Sequence, residues 1–465
     1  MAKMRYFVII ASFIIVFSLQ NTAKAEDVDV AREAKERAEK AAQQRKAEPS
    51  QSPARQKASE EELAKIKEKM EANPRNLDAY FAYGRMATQL GKFDEAEKAF
   101  QHMLDANPRL PRVKLEMGIL YIKKGELKNA KELFEEVLKT NPPEQVKKNV
   151  ESVLAQVNDG LKKDRIIVST SFGLNYDKNA TSAASSNSNT VSDTSLPLTE
   201  GSLADSDGQA FGTASIIHLH KFDIESKDWG MILTTIGTLY KSIQGTEHQL
   251  DITLGSVKTG PTFTLNNYNT QIGIAAGKSV ISLNSDVYMV TPSGEFTLKY
   301  APIKELSFDY GYSYEYRKFA NSPTALTNVN RTGNAYQHKV GATYMFTEKD
   351  LFNGSVTWRN EEARSNEFGN DQTQLTFGYT RQLPYDLALN ILGNFKMTHY
   401  NDLDTTISSK ILRRDKERSI TFTLSKKLSN SVTMSGGYQY KNVTSNIENY
   451  DYFNNRLSWA VGWTF

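Results

Sequence analysis

Two spacings of apolar residues divide this chain. From Ser59 to about residue 160 the apolar positions recur three and four apart, the spacing of one helix face; after Lys163 they alternate with polar ones, the spacing of a strand with one apolar side. In RIIVSTSFGLNY (165–176), Ile166, Val168, Phe172, Leu174 and Tyr176 share one face, and Ser169, Ser171, Gly173 and Asn175 share the other. ELSFDYGYSYEYR sets Leu306, Phe308, Tyr310, Tyr312, Tyr314 and Tyr316 against Glu305, Asp309, Glu315 and Arg317. LFNGSVTWRNE sets Phe352, Val356 and Trp358 against Asn353, Ser355, Thr357, Arg359 and Glu361. About fourteen such segments follow one another. Short connections (223–227, 266–267, 301–303, 348–350, 384–385, 429–430) alternate with connections that are usually longer (177–208, 243–247, 282–286, 320–333, 366–370, 401–413, 446–449).

That rhythm predicts an antiparallel transmembrane β-barrel over 164–465, with short periplasmic turns and long exterior loops. The segments run to about 12–16 residues, longer than the roughly 5–6 of a sandwich strand and enough for the roughly 9–11 that a tilted strand needs to cross a bilayer. Hydrocarbon penalises every unpaired backbone group, so the last strand must close on the first. Closure also explains the terminus RLSWAVGWTF, whose Leu457, Trp459, Val461, Trp463 and Phe465 can then face lipid. An even strand number puts both barrel ends on the periplasmic side.

Within the helical stretch Asn-Pro recurs at 73/74, 107/108 and 141/142, an interval of 34 each time. Gly84 matches Gly118, Gly91 matches Gly125, Ala96 matches Ala130, Phe100 matches Phe134 and Leu104 matches Leu138 at the same interval. The unit resembles the tetratricopeptide repeat, a helix, a tight turn and a second helix. Small Gly84 and Ala96 suit the close approach of paired helices, Phe100 fills the space between them, and Gly91 and Gly125 suit the turn. The resemblance covers about 77–144, with a half-repeat at 59–72 and a capping helix at 144–161. By repeat register Asp78, Phe81, Arg85, Arg112, Leu115, Ile119 and Ile122 face a concave groove. Such a groove is either a site for an extended peptide or the inner side of a rigid spacer.

Before the repeats, Lys3 and Arg5 precede an apolar run, and Ala23 and Ala25 frame a cleavage pattern, which together predict a secretory signal over 1–25. Residues 26–58, rich in Ala, Glu, Lys, Arg and Gln, carry too few large apolar side chains to bury anything and predict a flexible charged linker. The expected organisation is an α+β multidomain chain: signal 1–25, linker 26–58, periplasmic helical repeats 59–163, outer-membrane barrel 164–465.

Composition adds exclusions. An apolar content of 39% with mean hydropathy −0.52 rules out a bundle of membrane helices but not a barrel, whose wall alternates. A net charge of +3 gives no nucleic-acid signal, and the absence of cysteine removes disulfides, thiolate metal sites and thiol nucleophiles. No catalytic constellation is present, so neither an enzymatic reaction nor a cofactor is expected. His218 and His220 point to one face of a strand without a third ligand nearby, which predicts two polar residues near a turn and not a metal site. Glu305, Asp309, Glu315, Arg317, Lys339, Arg359 and Glu361 are expected in the barrel lumen, either biasing what passes or filling the interior with ion pairs. Arg414, Lys416 and Arg418 share a face with Ile420, Phe422 and Leu424 above the apolar band, as contacts to lipid phosphates or as a solvated rim.

Helical repeats followed by a barrel of about fourteen strands resemble the surface lipoprotein assembly modifier family. FGLNYDKNA (172–180) and the closing YDYFNNRLSWAVGWTF (450–465) are similar to that family's barrel ends. The alternation through Trp459, Val461, Trp463 and terminal Phe465 also resembles the signal by which the bacterial barrel assembly machinery recognises its substrates. The resemblance implies that the repeats capture a secreted protein or lipoprotein in the periplasm and that the barrel helps it to the cell surface. Its implied partners are outer-membrane lipids, the assembly machinery and the cargo. Two other readings stay open: an exopolysaccharide export pore with the same layout, from which the Ser, Thr, Asn and Gly of the lumenal face point away, and a passive porin with an interaction module.

Overall fold

The computed structural model of the protein describes residues 53–186, 188–197, 204–224, 226, 228–322 and 326–465. The expected signal sequence and the first part of the expected linker, to residue 52, lie outside the described residues. The chain divides into two compact units at Lys162–Lys163.

The first unit is helical: α1 (Pro53–Ala72), α2 (Leu77–Gln89), α3 (Phe93–Ala106), α4 (Pro111–Lys124), α5 (Leu127–Leu138) and α6 (Glu144–Gly160). Local chemistry sets the boundaries. The Asn76 side chain accepts from the Ala79 N–H at 3.2 Å and caps α2. Pro111 opens α4, where its missing N–H costs nothing. Gly91 (φ 77°) and Gly125 (φ 79°) turn the chain from first to second helix of each repeat in the left-handed region. Asn107, before Pro108, leaves the helix in extended conformation. The repeat then packs by one rule. A Cβ on Gly84 would lie 2.6 Å from the Phe100 ring and one on Gly118 2.8 Å from the Phe134 ring, so each fully buried aromatic occupies the place of the missing side chain. Leu63, Ala87, Ala96, Phe100, Met117 and Leu120 belong to one cluster; Ala130, Phe134, Val137, Val150 and Val157 form another.

Three titratable groups are tied into this packing. Tyr83 donates to Glu95, Tyr121 donates to Glu97 at 3.0 Å, and Lys124 donates to Glu97. Burial and then the Glu97 bond push the Tyr121 phenol up to about 12, burial and Glu95 raise Tyr83, and the bond to Glu97 raises Lys124. All three hold their protons more tightly folded than unfolded. Their contribution is therefore complete below the unfolded values of about 10 and is lost as pH rises through the folded ones. The helical unit is expected to keep its stability from neutral pH to about 10 and to lose it progressively above, measured by urea titration of the 222 nm signal. A midpoint unchanged up to about pH 12 would contradict this coupling.

The second unit is a closed barrel of fourteen antiparallel strands. They are β1 (Asp164–Asp177), β4 (Asp207–Lys221), β5 (Trp229–Gln244), β6 (Ile252–Leu265), β7 (Thr270–Leu283), β8 (Asp286–Ile303), β9 (Leu306–Phe319), β10 (Gly333–Thr347), β11 (Asp350–Glu361), β12 (Asn370–Leu383), β13 (Leu387–Tyr400), β14 (Arg414–Lys427), β15 (Val432–Ser445) and β16 (Tyr452–Thr464). Each pairs with its neighbours in sequence, and β1 pairs with β16. A small hairpin, β2 (Ser188–Val191) with β3 (Thr194–Pro197), stands in the first exterior loop. Alternation decides the faces: Ile166, Phe172, Leu174, Leu239, Phe377 and Trp459 are exposed on the outside, while Ile167, Asn175, Arg317 and Glu361 are buried within. Some connections differ from expectation in their bounds: the one expected at 243–247 lies at 245–251, and the one expected at 366–370 lies at 362–369. The strand predicted to stop at 301–303 continues to Ile303, and the turn is Lys304–Glu305. Pro302 looks like a breaker, but it stands where the register shifts between Tyr300 and Ile303, and such an irregularity tolerates a missing N–H.

Candidate functional site

Three features of this architecture can carry function: the seam, the lumen with its exterior loops, and the open face of the repeats. The seam is built from the chain ends. β1 pairs with β4 over fourteen residues, Asp164 to Asp177, but with β16 over nine, Ser169↔Thr464 to Asp177↔Arg456. The terminus is zipped in: Phe465 N–H donates to the Val168 carbonyl at 2.8 Å, and Val168 N–H donates to the Phe465 carbonyl at 3.1 Å. Trp463 stacks edge-on against Phe172 with centroids 6.2 Å apart, Trp459 and Phe465 are exposed to the outside, and Val461 lies opposite Phe172. Gly173 is required where it stands, because a Cβ there would lie 2.4 Å from both the Phe211 ring and the Trp459 carbonyl oxygen. At the exterior end Arg456 Nε and Asn454 Nδ2 both donate to Asp177 Oδ1, at 2.8 and 2.7 Å, and Asn179 N–H donates to Asn454. The two stretches FGLNYDKNA and YDYFNNRLSWAVGWTF are thus one structure, bonded to each other. Below Val168, Ile166 and Asp164 of β1 pair with β4 but not with β16 among the described residues.

The lumen is knitted by ion pairs. Arg359 bridges Glu315 (2.7 Å) and Glu361 (2.6 Å), Arg317 takes the other Glu361 oxygen at 2.8 Å, and the side chains of Arg317, Arg359 and Glu361 are at most 7% exposed. Lys339 faces Asp309 at 3.8 Å, Lys258 meets Glu295 at 2.8 Å, and Glu417 lies between Lys396 and Lys441. Six of the seven residues expected in the lumen are therefore in the inward-facing pattern and paired; Glu305 instead lies exposed in the turn between β8 and β9. Towards the exterior, Arg413 forks onto Asp415 through Nε and Nη2 while its guanidinium lies 3.2 Å from the Tyr450 ring centre and 4.4 Å from that of Tyr400. Arg317, Glu361, Tyr400, Arg413 and Tyr450 line a common cavity.

The exterior loops are tied to one another. Asp193, in the β2–β3 turn, accepts from Ser408 Oγ (2.7 Å), Ser409 Oγ (2.6 Å) and Ser409 N–H (3.0 Å), and these serines hold its carboxyl below the usual range. Thr190 exchanges two bonds with the Asn449 side chain, and Ile407, Ile447 and Tyr450 form a buried cluster. Asp177, Asp193, Arg413 and Arg456 were not singled out by the sequence pattern. Asp177 and Arg456 do stand within the two stretches that resemble a family's barrel ends; Asp193 and Arg413 carry no such signal.

On the repeats, α2 and α4 share one face. Arg112 lies over the Phe81 ring at 4.7 Å, Arg85 approaches the same ring at 5.9 Å, and Arg85 Nε meets Glu116 at 3.2 Å. Asp78, Arg85, Arg112 and Ile119 are exposed and Phe81 is half-buried; Leu115 and Ile122 pack against the cluster around Phe134. His218 and His220 face the outside of the barrel at its periplasmic end, and each bonds Asp164 Oδ1 at 2.8 Å.

Comparison with known proteins follows this division. Residues 87–156 match the tetratricopeptide repeat family, and residues 293–465 match the surface lipoprotein assembly modifier family. No curated protein matches the chain. Among solved structures it is similar to an anion-selective porin from Comamonas acidovorans (9% identity, TM-score 0.35, 65% of this chain and 99% of that one). It is also similar to a loop L8 deletion mutant of OmpT, an outer membrane protein of Vibrio cholerae (8%, TM-score 0.39, 65% and 100%). A tetratricopeptide repeat protein from Parabacteroides merdae is similar over a smaller share of the chain (20%, TM-score 0.21, 22% and 40%). The chain is an outer-membrane β-barrel protein that matches the surface lipoprotein assembly modifier family over residues 293–465, with tetratricopeptide repeats preceding the barrel.

Proposed function

We propose that the protein is a translocon-like element of the outer membrane: the repeats bind an extended segment of a secreted protein or lipoprotein in the periplasm, and the barrel helps deliver it to the cell surface. The observation that carries this reading is the combination, in one chain, of the repeats with the assembly-modifier domain. The capture face is the stretch around Phe81, where Arg85 and Arg112 offer donors to a backbone or carboxylate beside the apolar ring of Phe81 and the side chain of Ile119. The delivery element is the seam, which is the shorter pairing of β1's two edges and the place where an incoming strand can add. The paired lumenal charges favour this reading over an open pore. On assembly, we propose that Trp459, Val461, Trp463 and Phe465 are read by the barrel assembly machinery.

The chain has no cysteine, so a thiol pair can be introduced cleanly. Ser171 and Gly462 are directly opposed, between the hydrogen-bonded pairs Thr170↔Trp463 and Phe172↔Val461, and in that class of pair the Cβ atoms are closest. With Ser171→Cys and Gly462→Cys, oxidation is expected to block appearance of a co-expressed lipoprotein cargo at the cell surface, scored by protease access on intact cells, and reduction is expected to restore it. Unimpaired delivery through the locked seam rules out the seam as the delivery element. Loss of delivery on exchanging Phe81, Arg85 and Arg112 for Ala is the matching result for the repeats, and unchanged delivery contradicts capture there.

A further inference from the structure

We infer that β14 carries, on the outside of the barrel, a binding site for the phosphorylated headgroup of an outer-leaflet lipid. Arg414, Lys416 and Arg418 occupy successive outward positions at the exterior end of that strand, and all three are exposed. Outward positions repeat about every 7 Å along a strand, so three cations form a column about 13 Å long. Among the described residues, no carboxylate lies within ion-pair distance of any of the three, and no other barrel strand presents three cations at successive outward positions. Every neighbouring charge on the same strand behaves differently. Asp415 and Glu417, which point inward between them, are consumed by Arg413, Lys396 and Lys441. The column is thus left with its mutual repulsion, which a bound anion relieves.

What surrounds the column decides the class of anion. A solvated rim has polar neighbours on both sides, but here one flank is apolar: Arg418 pairs with Phe395 and Lys416 with Met397 on β13, and the Arg418 guanidinium lies 5.9 Å from the Phe395 ring centre. The other flank supplies hydrogen bonding, since Arg418 pairs with Asn442 and Lys416 with Thr444 on β15. His399 pairs with Arg414 at the top. Immediately towards the periplasm the same face becomes Ile420, Phe422 and Leu424, with Tyr440 and Tyr438 opposite the first two. The cations therefore stand where acyl chains give way to headgroups in the outer leaflet. Arginine forks match phosphate oxygens, and the apolar ladder below continues into the acyl region. A free phosphate would satisfy the cations but gains nothing from that ladder, so the occupant is a lipid. This inference needs only the orientation of the barrel and holds whether or not the protein moves cargo.

The test compares the purified full-length barrel protein in phosphatidylcholine nanodiscs with and without bisphosphorylated lipid A, scoring retained lipid by native mass spectrometry. Near a membrane surface each basic residue contributes enough that losing three is expected to weaken retention by roughly ten- to a hundred-fold. Arg414→Gln, Lys416→Gln and Arg418→Gln combined should show that loss, while Lys241→Gln with Lys278→Gln, outward but isolated on β5 and β7, should not. Folding is checked by heat-dependent gel mobility; if the triple variant misfolds, Arg418→Gln alone, expected to lose several-fold, carries the comparison. Equal retention by the variants, equal retention of a lipid A stripped of its phosphates, or complete displacement by inorganic phosphate at concentrations comparable to the lipid overturns the proposal.

Discussion

Phe100→Ala is expected to destabilise the helical unit strongly while leaving the barrel intact. Phe100 is fully buried in contact with Gly84, and removing a buried phenyl ring costs about 3–5 kcal/mol because the space cannot collapse. A domain of this size has about 5–15 kcal/mol in total, so the change takes a large share of it. In the full chain the urea midpoint of the 222 nm signal should fall sharply, with the heat-dependent gel shift of the barrel unmoved. Phe134→Ala in the second repeat should behave alike, since Phe134 fills the place left by Gly118 in the same way. An unaltered midpoint for either variant would show that the aromatic-on-glycine contact does not hold the repeats together.

The second large effect is expected inside the barrel. Arg359→Met removes the cation from Glu315 and leaves Glu361 with Arg317 as its one cation and Asn370 as a neutral donor, in a place where the Glu361 side chain is 5% exposed. Removing one partner of a buried ion cluster costs about 3–5 kcal/mol, because the orphaned charge keeps its desolvation penalty and loses its compensation. Replacing the cluster as a whole, with Glu315→Gln, Arg317→Met and Glu361→Gln added to Arg359→Met, should recover much of the loss. The readout is the temperature at which the folded band gives way to the slower unfolded one on a gel. If Arg359→Met melts with the wild-type protein, or the fourfold variant is worse than the single one, the cluster is a water-filled rim and not a dry structural knot.

These two predictions rest on features of different legibility. The 34-residue recurrence of Gly84/Gly118 and Phe100/Phe134 is written in the chain, and because a repeat contacts its nearest neighbours in sequence, recurrence translates directly into packing. The inward position of Arg317, Arg359 and Glu361 is equally legible, since a strand's alternation fixes which side each residue takes. Their partners are not. Arg359 meets Glu315 two strands away, across β10, a relation set by the stagger of three strands and by nothing local to any of them. The same holds for Asp193, whose serine partners are more than 200 positions distant. Pro302 shows the opposite failure: a local signal for a turn, overridden because the bulge beside it lets the strand run on.

Taken alone, the amino-acid order determined the two periodicities, the strand faces, the closure of the last segment on the first and the outward aromatic terminus, because each follows from side-chain spacing along a single element or from the cost of an open edge in lipid. Tertiary structure decided the rest: that Asp177 is clasped by Arg456 and Asn454 across the seam, that the lumenal charges neutralise one another, that Leu115 and Ile122 are taken into the packing around Phe134, and that Arg414, Lys416 and Arg418 are left beside Phe395 and Met397 without a counter-charge. Those outcomes depend on inter-strand register and helix stacking, and register is a property of the closed cylinder as a whole, fixed only when all fourteen strands are in place.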